Sequence, residues 1–401
     1  MNKNKPLSSF SVLPQEEMLA LKPGFRKLNI GVPKESSFQE NRVSLTPDSV
    51  GLLVNNGHQV IIESNAGLSS SFSDEEYVKE GAVIAFSKDE VFKADIILKI
   101  EPPTFSELKL MKANQQLISA IQMNTQDTRY INNLIKKKIT ALAFEFIQDR
   151  QLKIPIVRSM SEIAGNTSVL IAGEYLSNIN KGKGLMLGGI SGLIPSHVVI
   201  LGAGTVGEYA SRTAIGLGAS VIVFDDSITK LRRLQNNNNH RIETSTIQPK
   251  ALEKALSNAD VVIAALRVGG DRIPCIVTEE MVKIMKAGSV VIDVSIDQGG
   301  CFETSEVTNH KNPIFIKHEI IHYCVPNIAS RVSRTASMAI SNILTSFVLS
   351  IAEEGGIVEL IKKDKGFRNG VYTFNGMLTN EILAKKFDIT FKDLDLIMAT
   401  I

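Results

Sequence analysis

Three glycines and one acid carry the clearest chemical signal in this chain. The segment 198–226 reads VVILGAGTVGEYASRTAIGLGASVIVFDD, in which Gly202, Gly204 and Gly207 follow one β-branched run and Asp225 ends a second. In this pattern the first glycine permits a tight turn, the second lets a pyrophosphate approach the backbone, and the third allows close helix–strand packing. The phosphates then lie at a helix N-terminus, where free N–H groups and the helix dipole favour negative charge. These residues predict a dinucleotide site.

The acid at the end of the second run indicates which dinucleotide is bound. The Asp225 carboxylate can accept hydrogen bonds from an adenosine ribose and would repel a 2′-phosphate, and Asp226 adds to that repulsion. NAD is therefore favoured over NADP. FAD uses the same unit, but usually at the extreme N-terminus of its domain, whereas this motif lies mid-chain. A glycine turn without a ligand is the alternative, and the regular spacing of strands and acid disfavours it.

Composition limits the class of protein. A chain of 401 residues with 44% hydrophobic and 21% charged residues is typical of a globular protein of two domains. The formal net charge of +2 and the lack of a long basic block exclude a nucleic-acid partner. No uninterrupted apolar run approaches the roughly 18 residues that span a bilayer, so no membrane partner is expected. Residues 1–27 lack a secretory signal and are interpreted as an extension, a flexible arm or a short helix, of a cytoplasmic protein.

Cysteine and histidine spacing predicts no metal. Cys275, Cys301 and Cys324 are an odd number without CxxC spacing, which indicates buried thiols in a reducing compartment. His318 and His322 stand four residues apart, and a structural role is favoured over a metal site, with His322 interpreted as a core histidine.

Strand-like and helix-like segments alternate from Leu28 onward. Predicted strands cover 28–33, 60–63, 94–100, 117–121, 140–144, 198–200, 221–224, 259–264 and 289–293, with helices 47–55 and 74–80 among them. Regular alternation predicts an α/β fold with two Rossmann-like, doubly wound parallel-sheet domains separated by a cleft. Ligands in such sheets bind beyond the carboxyl ends of the strands.

The connections suggest how the domains are joined. Residues 159–176 predict a helix capped by Ser161, with small residues for close packing, and the glycine-rich stretch 181–195 predicts a loop. A long helix over 330–353 would return the chain to the first domain, followed by short helices and a turn at 369–375. The substrate domain is thus predicted as 28–156 plus 334–401, and the NAD-binding domain as 157–333.

Five motifs carry a family resemblance. The segments IGVPKESSFQENRVSLTP (30–47), MSEIAGN (160–166), VILGAGTVG (199–207), IDQGGCFETS (296–305) and HYCVPNIASRVSRTAS (322–337) together resemble the alanine dehydrogenase family, colinearly from about Leu28 to Phe387. The related transhydrogenase cofactor subunit shares the first motif in part and the glycine turn. The resemblance implies a two-domain enzyme, usually a homohexamer, that oxidises L-alanine to pyruvate and ammonia with NAD.

The resemblance also implies roles for individual residues. Arg42 matches the arginine that binds the substrate carboxylate, and Asp297 matches the catalytic aspartate. Ile247 falls where the family often has a cofactor-contacting serine. The positions that match the cofactor-lining residues are Ser161, Asp225, Lys230, Leu266, Arg267, Val294, Ile296, Val325 and Asn327.

Two positions depart from the family pattern. In Leu98-Lys99-Ile100-Glu101-Pro102-Pro103, Glu101 replaces a lysine that binds substrate in the family. In Ile121-Gln122-Met123, Gln122 replaces the histidine that exchanges protons with substrate.

These departures bear on the chemistry of oxidative deamination, which needs a cation for the carboxylate, a hydride acceptor and a base. Arg42 can supply the cation, and Asp297 can take the amine proton or position water. Gln122 does not titrate, but it can donate a hydrogen bond to a substrate carbonyl. Glu101 would disfavour a second carboxylate contact, and it could instead hold a substrate ammonium or replace the missing base. Lys99 is the nearest remaining cation. It is interpreted either as a substrate contact or as a solvated residue at the end of a strand.

The function predicted from the sequence is an NAD-dependent amino-acid dehydrogenase, with L-alanine as the substrate. Two alternatives remain open at this point: an NAD(H)-binding homologue with lost or altered catalysis, and a dehydrogenase for an amino acid whose basic group Glu101 could hold.

Overall fold

Two helix-covered sheets organise the chain. The computed structural model describes residues 25–37, 39–238, 240–267 and 273–400. Of the predicted extension 1–27, residues 1–24 lie outside the described residues, so its interpretation stays a prediction. Residues 25–27 are described: Arg26 N–H donates to the carbonyl of Ala352 at 2.9 Å, and Phe25 stacks on His58.

Most of the described strands are short, buried runs. They are β1 (Asn29–Val32), β2 (Gln59–Glu63), β3 (Val83–Ala85), β4 (Ile96–Leu98), β5 (Gln116–Ser119), β6 (Thr140–Ala143), β7 (His197–Leu201), β8 (Ser220–Phe224), β9 (Glu243–Ser245), β10 (Val261–Ala264), β11 (Val290–Asp293), β12 (Ile314–Lys317), β13 (Ile320–Tyr323), β14 (Val371–Phe374) and β15 (Met377–Leu378).

These strands form two sheets. Among the described residues the first sheet has the order β15-β14-β6-β5-β4-β1-β2-β3 and the second has the order β12-β13-β11-β10-β7-β8-β9. All pairs among β1–β6 and β7–β11 are parallel, and β13 pairs parallel with β11. The fold class predicted from the sequence is confirmed. Parallel strands covered on both faces must be apolar throughout, which explains why β10 and β11 are buried at every position.

The described helices cover both sheets. They are α1 (Pro47–Asn55), α2 (Asp74–Lys79), α3 (Lys88–Val91), α4 (Phe105–Leu110), α5 (Thr128–Lys136), α6 (Pro155–Leu176), α7 (Thr205–Gly216), α8 (Ile228–Asn237), α9 (Pro249–Asn258), α10 (Glu279–Lys283), α11 (Ser333–Glu353), α12 (Ile357–Lys363), α13 (Lys365–Arg368), α14 (Glu381–Phe387) and α15 (Leu394–Met398). Short 3₁₀ turns lie at Leu68–Ser70, Asn178–Asn180, Ile296–Gln298 and Ile328–Val332.

Two long helices, α6 and α11, link the two sheets. Helix α6 begins at Pro155, where a missing N–H costs nothing. It packs tightly on α7, because a Cβ at Gly165 would lie 2.5 Å from the carbonyl oxygen of Val206. Helix α11 follows the second sheet and carries the chain back to β14 and β15 of the first.

Helix α11 is also the most apolar long helix. By length and mean hydropathy, the described stretch Ile328–Glu353 could cross a membrane, although polar residues interrupt its apolar sequence. Half of its most apolar window is buried inside the protein. Ile340, Leu344 and Val348 belong to the core of the first sheet, which is the arrangement of a helix packed within a protein interior.

Several local predictions were wrong. Ser161 does not cap a helix, because α6 begins at Pro155 and the Ser161 hydroxyl donates to the Val157 carbonyl within it. The predicted turn at 369–375 contains strand β14. The antiparallel pairings of β12, β14 and β15 were not predicted from sequence. Of the three thiols predicted to be buried, Cys275 is exposed.

Candidate active site

The glycine turn joins β7 to α7. Gly202 has a φ of +113°, a conformation that favours glycine, and a Cβ there would lie 2.5 Å from the carbonyl oxygen of Ala265. A Cβ at Gly207 would lie 1.9 Å from the carbonyl oxygen of Gly202. These two glycines are therefore required by the fold itself.

Gly204 is different, because nothing in the described structure lies within 4 Å of a Cβ built there. Its φ of −76° suits any residue, so the fold does not require glycine. Gly204 is the N-cap of α7, and no side chain caps that helix. Open space beside uncapped helical N–H groups fits a phosphate group that approaches the backbone.

Asp225 follows β8 and lies beside this turn. Its carboxylate accepts hydrogen bonds from the N–H groups of Ala203 and Ser227, both at 2.8 Å, and lies 3.6 Å from the Lys230 ammonium. The predicted ribose-binding acid is thus buried against the glycine turn. Arg233, which the sequence reasoning did not single out, donates to the Ala203 carbonyl at 3.0 Å.

The other predicted cofactor positions follow neighbouring strands of the second sheet, apart from Ser161 in α6. Because parallel strands end at one edge, these residues are brought to the same side of the sheet. Leu266 and Arg267 follow β10, Val294 and Ile296 follow β11, and Val325 and Asn327 follow β13. Ile247 packs against the core on the outer side, between β9 and α9.

Arg42 is held by a carboxylate. Its Nε donates to Glu40 Oε1 at 2.7 Å and its Nη2 to Glu40 Oε2 at 2.5 Å, while the one acceptor of Nη1 among the described residues is the sulfur of Met160, at 3.3 Å. The Asn327 side-chain amide donates to Glu40 Oε2 at 2.9 Å from the second sheet. This contact joins the predicted substrate residue to a predicted cofactor residue across the cleft.

Lys99 is fully buried, with 1% of its side chain exposed, and therefore is not a solvated strand end. Its ammonium lies 3.0 Å from a Glu35 oxygen and 3.4 Å from a Glu107 oxygen. Glu107 also pairs with Lys88 at 2.6 Å, and these cations lower the pKa of Glu107 to about 2 despite burial. The ammonium of Lys99 is therefore shared between protein carboxylates.

Two partly buried glutamates that the sequence reasoning missed accept hydrogen bonds at the ends of adjacent strands. Glu35 accepts the Ile100 N–H at 2.6 Å, beyond β4. Glu145 accepts the N–H groups of Ile121 at 3.0 Å and Gln122 at 3.1 Å, beyond β5. Gln122 has a φ of +47°, a left-handed conformation that these bonds help to hold. No sequence signal distinguished these acids from surface glutamates.

Asp297 lies in the 3₁₀ turn after β11. Its side chain reaches solvent, but the surrounding cleft withholds much of its hydration. This desolvation and the nearby Asp293 raise the pKa of Asp297 to about 6, against the opposing charges of Arg267 and Arg42. The charge of Arg42, on the first sheet, therefore acts on the carboxyl group of Asp297, on the second.

Glu101 lies half-buried next to the Glu35-fastened strand end. Desolvation, followed by the charges of Glu40 and Glu35, raises the pKa of Glu101 to about 7, and Lys99 and Arg42 act in the opposite direction. The carboxyl group can therefore exchange a proton near neutral pH.

His322 and His318 each have structural partners. His322 is buried, with its ring bonded to Thr304 at 2.9 Å and to the Ile320 carbonyl at 3.0 Å, as predicted for a core histidine. His318 pairs with Glu279 at 2.5 Å. No group of three or more metal-ligating side chains occurs within the described residues.

The fold and this edge define a class: a two-sheet α/β protein of the Rossmann type that presents a phosphate-compatible glycine turn to a charged cleft. Comparison with known proteins gives the family. Residues 31–164 match the profile of the alanine dehydrogenase/PNT N-terminal domain, and residues 168–381 match that of the C-terminal domain.

Individual relatives agree over nearly their whole length. The chain is 39% identical to the alanine dehydrogenase of Methanococcus maripaludis over 364 residues, which cover 90% of this chain and 97% of that protein. It is 35% identical to alanine dehydrogenase 2 of Staphylococcus aureus (strain USA300) over 369 residues, which cover 92% and 99%. A solved L-alanine dehydrogenase superposes with a TM-score of 0.84 at 34% identity, covering 89% of this chain and 98% of that one. The chain belongs to the alanine dehydrogenase/PNT family, as its motifs predicted.

Proposed function

We propose that this protein is an NAD-dependent L-alanine dehydrogenase, which converts L-alanine, NAD and water into pyruvate, ammonia and NADH. The observation that carries the proposal is the hydrogen-bonded link from Arg42 through Glu40 to Asn327, which joins the predicted substrate residue of the first sheet to a strand end of the second. The relatives named alanine dehydrogenase support the choice of substrate.

The cofactor-holding residues are proposed from the second sheet. The turn Gly202–Gly207 and the start of α7 would hold the pyrophosphate, and Asp225 with Lys230 would hold the adenosine ribose. Leu266, Arg267, Val294, Ile296, Val325, Asn327 and Ser161 would line the remainder. When bound, NAD supplies the hydride acceptor.

Substrate binding is proposed at Arg42. Glu40 fixes two nitrogens of the guanidinium, so its plane is oriented before substrate arrives. Nη1 has only a weak sulfur acceptor, and a substrate carboxylate is a better partner for it. Lys99, with both neighbours acidic, supports the shape of the site rather than a direct substrate contact.

Proton transfer is proposed at Asp297, whose pKa of about 6 leaves it ionised at neutral pH and able to take a proton from the substrate amine or from water. Gln122 would donate a hydrogen bond to the substrate carbonyl from its fastened strand end.

The finer organisation is also proposed. The domains would divide at 156/157 and 333/334, near the starts of α6 and α11.

A homo-oligomer, a hexamer by family resemblance, is supported by a groove of about 630 Å³ beside exposed Leu170, Ile179 and Met186. Light scattering after gel filtration measures the assembly. A cytoplasmic location is likewise proposed, with no nucleic-acid or membrane partner.

The direct test follows NADH absorbance while purified protein is given NAD with L-alanine and with a panel of other amino acids. The reverse reaction uses pyruvate, ammonium and NADH. Turnover with L-alanine above all other amino acids is expected. A lack of turnover in both directions would refute the proposal.

A second candidate is an NAD(H)-binding homologue with lost or altered catalysis, favoured by the non-titrating Gln122 at the strand end and by Glu101 near Arg42. It predicts NADH binding by calorimetry without turnover, and activity gained in the double variant Gln122→His, Glu101→Lys. A related variation keeps the dehydrogenase but changes the substrate to an amino acid with a basic group, which the same panel would reveal.

A further inference from the structure

One carboxylate in the cleft stands apart from the others. Within the described residues, no backbone or side-chain group donates a hydrogen bond to the Glu101 side chain, and no cation forms an ion pair with it. Only its backbone N–H is engaged, weakly, by Glu35 at 3.4 Å. A half-buried acid that the fold leaves unpartnered is available to a ligand.

The neighbouring acids are all committed to protein groups. Their partners are the Ile100 N–H and Lys99 for Glu35, Arg42 and Asn327 for Glu40, Lys88, Lys99 and Thr104 for Glu107, and the N–H groups of Ile121 and Gln122 for Glu145. Each of these carboxylates would leave a buried donor unsatisfied if it turned toward substrate, which costs roughly 1–3 kcal/mol. Among these acids at the strand ends, and within the described residues, Glu101 is the one free of that cost.

Glu101 is also in the right place. Strands β4 and β5 pair in parallel from Ile96 to Leu98, and the Ala120 N–H continues that pairing to the Ile100 carbonyl at 2.9 Å. Glu101 and Gln122 therefore leave the sheet side by side. The charge of Arg42 lowers the pKa of both Glu101 and Asp297, so a substrate carboxylate bound at Arg42 would bring its amino group into the region of these two acids.

We propose that Glu101 is the catalytic residue that exchanges protons with the substrate nitrogen, while Asp297 serves the attacking water. This inference rests on the proposed function. It assigns to the first sheet the acid–base group that Gln122 cannot provide.

The proton steps balance without a further reactant. Glu101 takes a proton from the substrate ammonium: an N–H bond breaks, an O–H bond forms, and the electron pair stays on nitrogen. The oxidation that follows is that of the proposed function, with NAD as the oxidant. Water then adds to the C=N carbon and gives a proton to Asp297. Glu101 returns its proton to nitrogen, the C–N bond breaks and ammonia leaves. The hydroxyl proton passes to solvent as the ketone forms, and Asp297 releases its proton to solvent.

The charges facing Glu101 suit this role. Glu35 and Glu40 raise its pKa while Lys99 and Arg42 lower it, and with desolvation the value is about 7. A base with this pKa accepts a proton and gives it back with little cost in either direction near neutral pH.

The test compares the full-length protein with Glu101→Gln, Glu101→Asp and the surface control Glu90→Gln, in L-alanine oxidation at saturating NAD. Glu101→Gln is expected to lower kcat by about 10²–10⁴-fold with little change in KM or NADH affinity. The rise of kcat/KM through pH about 7 should disappear in that variant. Glu101→Asp should retain part of the rate, and added formate should restore part of the rate to Glu101→Ala.

The direction of the stability change separates a loss of catalysis from a loss of folding. Because the folded pKa of Glu101 lies above its ordinary value of 4.5, the folded state binds more protons than the unfolded state up to pH about 7, and stability falls over that window as pH rises. Glu101→Gln should therefore melt no lower than the wild type at neutral pH. A variant that melts lower is set aside, and Glu101→Asp with its pH profile decides the proposal.

The outcomes separate the two proposals. A wild type that oxidises alanine, with a Glu101→Gln variant of unchanged kcat and pH profile, would overturn the role of Glu101 alone. A wild type that binds NADH but oxidises no amino acid would overturn the proposed function and the role of Glu101 with it.

Discussion

The carboxyl ends of the two sheets use their backbone N–H groups in opposite ways. At the glycine turn of the second sheet, α7 starts without a side-chain cap and the space above Gly204 is open. At the first sheet, Glu35 and Glu145 occupy the N–H groups that follow β4 and β5. The uncapped N–H groups at the start of α7 are suited to an anionic ligand, whereas the bonded N–H groups beyond β4 and β5 hold the following residues in place.

The difference extends to electrostatics. The cofactor edge depends on helix dipole and backbone donors, which need no charged side chain at the phosphate. The substrate edge depends on charges held in fixed pairs, Glu40 with Arg42 and Glu35 with Lys99. Desolvation raises the pKa of Glu101 to about 7 and that of Asp297 to about 6, and carboxyl groups with such values are suited to proton transfer.

The largest expected effect comes from the residue that belongs to one sheet and acts on the ligand of the other. Asp297→Asn should lower kcat for alanine oxidation by about 10²–10⁴-fold, because an amide cannot accept a proton. NADH affinity, measured by fluorescence titration, should stay unchanged, and the exposed-site control Asp89→Asn should behave as wild type. Weakened NADH binding with normal kcat would place Asp297 on the cofactor side instead.

The open space above the glycine turn gives the next effect. Gly204→Ala should lower NADH affinity about 100-fold, on the order of 3 kcal/mol, because a methyl group would separate phosphate from the backbone donors. Its matched control is Gly216→Ala, at the end of α7, where a Cβ also meets open space. That variant should keep its affinity and gain up to about 1 kcal/mol of stability. Equal affinities in the two variants would argue against phosphate at Gly204.

Loosening the hydrogen bonds beyond β5 should have a smaller effect. Glu145→Gln replaces one of the two side-chain oxygens that accept the Ile121 and Gln122 N–H groups with an NH2 donor, and should lower the free energy of unfolding by roughly 1–3 kcal/mol. We expect kcat to fall about 10-fold, since the turn that carries Gln122 relaxes. Denaturant unfolding and steady-state kinetics measure both, with the exposed Glu243→Gln as control. Wild-type stability of Glu145→Gln would show that the carboxylate of Glu145 is not needed to hold this turn.

The last prediction concerns the ion pairs of Glu107 with Lys88 and Lys99, and it is measured as the change of stability with pH. Because the folded pKa of Glu107 is lowered to about 2, its stabilisation is present above its ordinary value of 4.5 and is lost as pH falls toward about 2. The loss should be on the order of 3 kcal/mol across that window. Denaturant unfolding at several pH values should show a shallower acid dependence in Glu107→Gln. An identical dependence in both proteins would contradict the assignment.

Much of the cofactor half could be predicted from sequence because its chemistry is local. Gly202, Gly204, Gly207 and Asp225 lie within one βαβ unit, whose periodicity and glycine spacing are readable in a single stretch. Nine of the fifteen described strands and the helix α1 were likewise predicted to within a few residues, since apolar runs specify them, whereas β3, β9 and β12–β15 were not predicted. The prediction for Ser161 failed because a cap depends on where the preceding turn starts, and Pro155 starts α6 earlier.

The substrate half could not be predicted to the same depth. Lys99 and Glu101 are two residues apart in sequence. Lys99 is buried between two carboxylates, whereas the Glu101 side chain has no ion-pair partner among the described residues. Glu35 and Glu145 came to the strand ends from distant segments, and nothing in their neighbours marked them as buried. The antiparallel strand β14 joined β6 across more than two hundred residues.

The amino-acid sequence by itself determined the family, the two parallel sheets and the glycine turn, because these follow from short-range periodicity and from residues whose backbone freedom is unique. The tertiary structure decided which charged side chains form ion pairs with other side chains and which stay available to a ligand. That partition depends on contacts between segments far apart in the chain and on the water excluded when they meet, and both are set only once the chain has folded.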